Sequence, residues 1–271
     1  MAKVSTEARD TYGVRVRDYK QEIDQIQQHE KAILMTIERE EDGSAIAFKR
    51  LTMADDRLNL AALYLLLNKV SLSLLGVKNE AFLNDARKCC YDCIIQIEAV
   101  VSNLLDVPFS EYQERVELID GFTDEKRYNM VRKLGFSIES VKEDFGDNSK
   151  WKWSFVDLEG RFSIVCKNMV NLKTIVTNMD PRVEGYAIRV NFLKFTKDWM
   201  NRSADRFREK FELSTNRIDD FKMAINFLSA LKRLHMVLGE PEMAENIKRK
   251  YDVWKARMDD EAKKQDSSKG T

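Results

Sequence analysis

The chain has 271 residues, of which ten are Gly and three are Pro, roughly 5% together where about 12% is average usage. Lys and Arg number 45, as do Asp and Glu, so a chain with 33% charged residues carries a formal net charge of zero. The shortage of turn-formers excludes a sandwich, barrel or propeller, the charge content excludes a polytopic membrane protein, and 44% hydrophobic residues exclude wholesale disorder.

Apolar residues recur in steps of three and four, the spacing of one helix face. The first segment carries Tyr12, Val16, Tyr19, Ile23, Ile26, Ile33 and Ile37, with Glu30 interrupting the stripe, and ends at Gly43. Ser44 caps a second helix bearing Phe48, Leu51, Leu58, Ala62, Leu65 and Leu72, which closes at Gly76. A third starts near Asn79, carries Phe82, Ala86, Cys89, Cys93, Ile97, Val100 and Leu104, and stops before Pro108. Residues 109–147 are choppier. Ser110 and Thr123 suit N-caps there, and Gly121, Gly135 and Gly146 punctuate three short helices.

Long periods return with Trp151, Phe155, Leu158, Phe162, Val165, Met169, Leu172, Val176 and Met179. This stripe predicts one helix of nearly thirty residues and outweighs a hairpin suggested by Trp151, Trp153 and Phe155 around Glu159-Gly160. Asp180-Pro181 ends it and opens the next helix, which runs to about Leu213. Another spans Asn216 to Leu238, and the last runs from Pro241 to about Met258. Four parts follow: an N-terminal half over 1–107 with three long helices, a connector over 108–148, a C-terminal half over 149–262 with four helices, and a disordered tail over 263–271.

The stretch from Leu58 to Val77 is apolar enough to suggest a membrane, but Lys69 sits near its middle. A central Lys costs about 2.5–3.5 kcal/mol on insertion scales, so a helix buried in a bundle is the better reading. The opening residues hold no apolar core of a signal peptide. Three of the four cysteines, Cys89, Cys90 and Cys93, lie on one helix and cannot staple distant segments, so with Cys166 they imply a reducing, cytoplasmic location.

Cys90-Tyr-Asp-Cys93 has C-x-x-C spacing but follows no strand and lacks a second ligand pair, so buried thiols are expected, with no metal. His29 and His235 belong to no ligand motif and read as surface or rim residues. Asp55-Asp56-Arg-Leu-Asn59 resembles a loosened D-D-x-x-D motif, which in all-helical prenyltransferases and terpene synthases implies Mg²⁺ and a diphosphate; Asp219-Asp220 is the candidate second site. The Gly239-to-Ala244 spacing with Tyr251 resembles the turn of a tetratricopeptide repeat over one hairpin, without a tandem period.

The helix over 182–213 has two apolar stripes. One holds Val183, Tyr186, Val190, Leu193, Met200, Ala204, Phe207 and Phe211; the other, about 200° away, holds Ile188, Phe192, Phe195 and Trp199. Trp153 likewise lies off the main stripe of its own helix. A helix apolar on two faces is either sandwiched or bound to a partner. Ile188, Phe192, Phe195, Trp199 and Trp153 are therefore the candidate protein-interaction residues. No catalytic set or cofactor motif is complete, and acids interleave with the basic clusters at Arg202–Lys210 and Lys248–Lys250, which argues against nucleic acid.

The expectation is an all-α, elongated bundle of about seven long or medium amphipathic helices with hairpin-like joints. Its function would be non-enzymatic: a scaffold, adaptor or filament-associated subunit recognising a protein partner or a second copy through helix faces. The alternatives are an all-helical Mg²⁺-dependent enzyme using Asp55, Asp56 and Asn59, or a weak nucleic-acid binder. Elongation predicts a small-angle scattering radius of gyration clearly above the about 18–19 Å of a compact globule of this length.

Overall fold

The computed structural model describes residues 4–146 and 149–269. It is an all-α helical bundle, with no strand among the described residues. The helices are α1 (Thr6–Ile37), α2 (Gly43–Leu75), α3 (Glu80–Val100), α4 (Gln113–Glu117), α5 (Asp124–Phe145), α6 (Ser149–Lys152), α7 (Ser154–Met169), α8 (Leu172–Thr177), α9 (Tyr186–Lys210), α10 (Ile218–Val237) and α11 (Pro241–Lys269). The chain divides into two compact units. Unit 1 comprises Met1–Ser102, Glu117–Phe122 and Asn129–Asn148; unit 2 comprises Asn103–Val116, Thr123–Tyr128 and Ser149–Thr271.

In unit 1, α2 packs against both α1 and α3. Its start is set by Asp42, whose side chain accepts the Ser44 amide at 2.9 Å, and its end by Gly76 in the left-handed region at φ 66°. Asn79 caps α3 by accepting from the amides of Ala81 and Phe82. On α1 the expected stripe turns inward, with Ile23 buried and Tyr12, Val16, Tyr19, Ile26, Ile33 and Ile37 half-buried. Glu30, which interrupts it, is only 3% exposed. The Arg57 guanidinium of α2 lies 2.7 Å from Glu30 and 3.2 Å from Asp92 of α3, so one cation bridges three helices. Burial nonetheless pushes the Glu30 carboxyl above its ordinary range, against the pull of Arg57.

Helix α2 is long and apolar enough to cross a membrane by length and composition, and it buries Leu58, Leu60, Ala61, Leu63, Leu65 and Leu67 within unit 1. Its buried set differs from the expected stripe. Phe48, Ala62 and Leu72 are exposed, because a Leu-rich helix covered on two sides has no single face for periodicity to find.

Unit 2 is centred on α7, where every residue from Phe162 to Met169 is buried. Helix α9 packs on α7 and on α10, and α10 on α11. Small residues bring α7 and α9 together: Ser163 and Ser203 share a hydrogen bond of 2.6 Å, and Ser163 Oγ also donates to the Trp199 carbonyl at 3.0 Å. Gly160 faces Phe207 so closely that a Cβ there would lie 2.5 Å from the ring. Arg127, 2% exposed, donates to the carbonyls of Val116 and Met169 and so joins α4, the start of α5 and the end of α7.

Several boundaries differ from the sequence expectation. The connector over 108–148 is shared between the two units, and α5 runs unbroken through Gly135. The single helix expected to Met179 is interrupted at Val170, whose ψ of 116° is extended, and Asn171 restarts it by accepting the Thr174 amide at 3.2 Å. Apolar spacing continues across that break, which hid it. Gly185, expected inside a helix, instead precedes α9 at φ 78°. Helix α11 continues to Lys269, so residues 263–269 are helical where a disordered tail was expected; 270–271 lie outside the described residues.

All four cysteines are buried and free. Loss of solvent pushes the Cys89 thiol up to about 12, and raises Cys90, Cys93 and Cys166 as well. Two outcomes follow. None of the four thiols reacts with a disulfide reagent such as dithionitrobenzoate at neutral pH until denaturant is added, when all four react. Gly160→Ala lowers stability by about 1–3 kcal/mol in denaturant titration. The overlap outweighs the gain in helix propensity of about 1 kcal/mol, because the Phe207 ring is itself held by stacking on Phe227 at 5.8 Å.

Candidate functional site

Unit 2 contains two half-open pockets, a wider groove and a smaller chamber. The groove, about 480 Å³, lies between the segment before α9, helices α9 and α10, and the start of α11. Its apolar lining includes Met179, Val190, Leu193, Leu231, Met243 and Ile247. Met179 and Met243 are 38% and 49% exposed, an adaptable apolar surface open to solvent. Lys194 and Asp198, one turn apart on α9, stand exposed at its edge, and among the described residues neither has an ion-pair partner.

One end of the groove is fixed by Glu240 in the α10–α11 turn. The turn reverses tightly because Gly239 takes φ 71° and Pro241 opens α11. Glu240 accepts from Lys197 Nζ at 2.9 Å and lies 2.5 Å from His235 Nδ1. Partial burial works against its charge, but the bonds from Lys197 and His235 hold the carboxyl below its ordinary range. His235, in the last turn of α10, is 4% exposed, so it is an interior residue and not the surface or rim histidine expected.

The chamber, about 190 Å³, is walled by Val107, Phe109, Leu172, Ala230, Leu234 and Val237. Three polar side chains also line it: Lys167 of α7, Tyr112, and Arg233 of α10. Arg233 binds Asp106 through Nε at 3.2 Å and Nη2 at 3.0 Å. Lys167 is 5% exposed and donates to the Tyr112 hydroxyl at 3.3 Å. Burial lowers the Lys167 ammonium to about 8, with Arg233 pushing the same way and Asp106 opposing. Burial also raises the Tyr112 phenol above the ordinary tyrosine range.

The interaction residues expected from sequence fall elsewhere. Phe192 and Trp199 are 0% and 5% exposed and belong to the core of unit 2; Phe195, Ile188 and Trp153 are half-buried. Phe162 of α7 meets Trp199 edge-on at 4.7 Å and Phe195 at 6.2 Å, so α7 covers the second stripe of α9. Tyr128 covers Phe192 at 5.6 Å, and Arg202 lies over the Trp199 ring at 3.9 Å. The two-sided helix is sandwiched.

The D-D-x-x-D acids do not converge. Asp55 pairs with Lys133 of α5 at 2.8 Å and Asp56 with His29 of α1 at 2.7 Å, while Asn59 is exposed. Asp219 pairs with Lys222, and Asp220 with Lys210 and Thr215. Among the described residues no group of three or more His, Cys, Asp or Glu is placed to hold a metal ion.

Sequence reasoning passed over Lys167, because a lysine between apolar positions reads as a solvated face. Its signal was the run Ile164-Val165-Cys166 before it and Met169-Val170 after it, which surrounds the helix with apolar side chains. No curated protein and no solved structure matches the chain. Residues 8–262 match a single family along almost the whole length of both units, and the chain is a member of the TP0443 family.

Proposed function

We propose that this protein is a non-catalytic helical adaptor or scaffold that seats an amphipathic helix of a partner protein in the groove of unit 2. The observation that carries this reading is the pairing of an exposed, methionine-bearing apolar lining with a cation and an anion at its edge that have no ion-pair partner among the described residues. Apolar grooves that take a helix read its anchors at i, i+3, i+4 and i+7. Lys194 and Asp198 would select a partner with an acid and a base flanking those anchors, which fixes direction as well as affinity. The role expected of Trp199 and Phe192 passes to Met243, Met179 and Ile247, whose side chains line the groove.

Met243→Glu places a charge on the lining in the first turn of α11, where the helix dipole tolerates an acid. Its melting temperature is expected to stay within about 2 °C of the parent, as for other exposed positions. The measurement compares proteins that co-purify from the cell of origin with the parent, Met243→Glu and Met236→Glu, the last an exposed α10 residue outside the groove. The reading expects one partner lost at least tenfold with Met243→Glu and retained with Met236→Glu. Equal recovery with both variants refutes it. Self-association by light scattering that Met243→Glu abolishes would instead make a second copy of this chain the occupant.

A further inference from the structure

We propose that the chamber around Lys167 is a binding site for a small apolar monocarboxylate, with the carboxylate held by the Lys167 ammonium and the hydrocarbon by the chamber wall. This site is separate from the groove and stands without it.

Charge and room both point to that ligand. Lys167 is 95% buried, and among the described residues its ammonium donates to a phenolic hydroxyl, which carries no compensating charge. The carboxylate nearest in the chamber's electrostatics, Asp106, is engaged by Arg233. The lining therefore holds two cations, Lys167 and Arg233, and no carboxylate, while the nearby Asp106 is committed to Arg233. A buried ammonium without an anion is costly, and a ligand carboxylate supplies the missing charge in a low-dielectric site where the pair is strong. Two of the three ammonium donors remain for its oxygens. The Tyr112 hydroxyl, once it accepts from Lys167, still has its own proton to donate to the same carboxylate.

The volume sets the size. An engineered apolar cavity of about 150 Å³ accommodates benzene, so a chamber of about 190 Å³ takes a ligand of roughly six to ten heavy atoms. The rest of the wall is apolar, with Phe109, Leu172, Leu234 and Val237 offering no partner for a second polar group. A chain or ring ending in one carboxylate fits; a sugar or nucleotide does not.

The lowered basicity of Lys167 gives the site a pH dependence. The groups facing it are Asp106, Arg233 and Tyr112, and the raised phenol leaves Lys167 as the one that changes charge between pH 7 and 9.5. The carboxylate binds the protonated lysine, so affinity is full below about 8 and falls above it.

The experiment measures binding of hexanoate and of its neutral counterpart hexan-1-ol to the full chain by calorimetry or ligand-observed NMR, at pH 7.0 and 9.5. Hexanoate is expected to bind at least tenfold more tightly than hexan-1-ol at pH 7.0, and to lose roughly tenfold or more of that affinity at pH 9.5. Lys167→Met, which replaces the ammonium with an apolar side chain of similar length, removes the preference for hexanoate and preserves hexan-1-ol binding. Equal binding of the two probes at pH 7.0 overturns the proposal. So does a hexanoate preference that survives both pH 9.5 and Lys167→Met, which would place the carboxylate on Arg233. If Lys167→Met fails to fold, the pH comparison on the parent protein decides alone.

Discussion

A helix with apolar side chains on opposite faces has to be covered on both, and among the described residues α2, α7, α9 and α10 are of this kind. Helix α2 lies against α1 and α3 in unit 1. In unit 2, α9 lies against α7 and α10, and α7 is buried along almost its whole length. The long helices that remain, α1, α3, α5 and α11, carry charged residues on their exposed faces. The order of packing in each unit thus follows from how many faces of each helix are apolar. Polar contacts then adjust the fit: Arg57 joins α1, α2 and α3 through Glu30 and Asp92, and Ser163 with Ser203 closes α7 onto α9.

The same constraint explains where the two cavities form. Helix α10 is shared between α9 and α11, and after the turn at Gly239-Glu240-Pro241 the groove lies between α9, α10 and the start of α11 over an apolar lining. The chamber opens where the segment from Leu105 to Tyr112 meets α7, α8 and α10. Here α7 buries a cation, Lys167, among its apolar side chains. Burial of a charge is expensive, and strongly perturbed ionisable groups cluster at functional sites.

Much of the fold was legible. Asn79, Gly76, Gly239 and Pro241 mark helix ends by backbone chemistry that acts over a few residues, and the α1 stripe reads directly because only one face is covered; the cap of α2, expected at Ser44, is instead Asp42, which accepts the Ser44 amide. The second stripe of α9 was visible as a pattern, but periodicity counts apolar faces without saying what covers them, so Phe192 and Trp199 looked available when Tyr128 and Phe162 had claimed them. The break at Val170-Asn171 was hidden because a side-chain cap interrupts the backbone without interrupting the apolar spacing. The candidate sites were the least legible part. Lys167, Tyr112 and Arg233 are 55 and 66 residues apart along the chain and meet only through tertiary packing.

Helix α5 gives its first turn to unit 2 and the rest of its length to unit 1, and residues 103–116 and 117–122 alternate between the units in the same way. No single cut in the chain therefore separates the two cores. A ribosome that has delivered the first three helices has not yet delivered unit 1, because Asn129–Asn148 are still to come, and by then the opening segments of unit 2 have already been made and must wait for α7. The two units are distinct as packed objects but interleaved as a message.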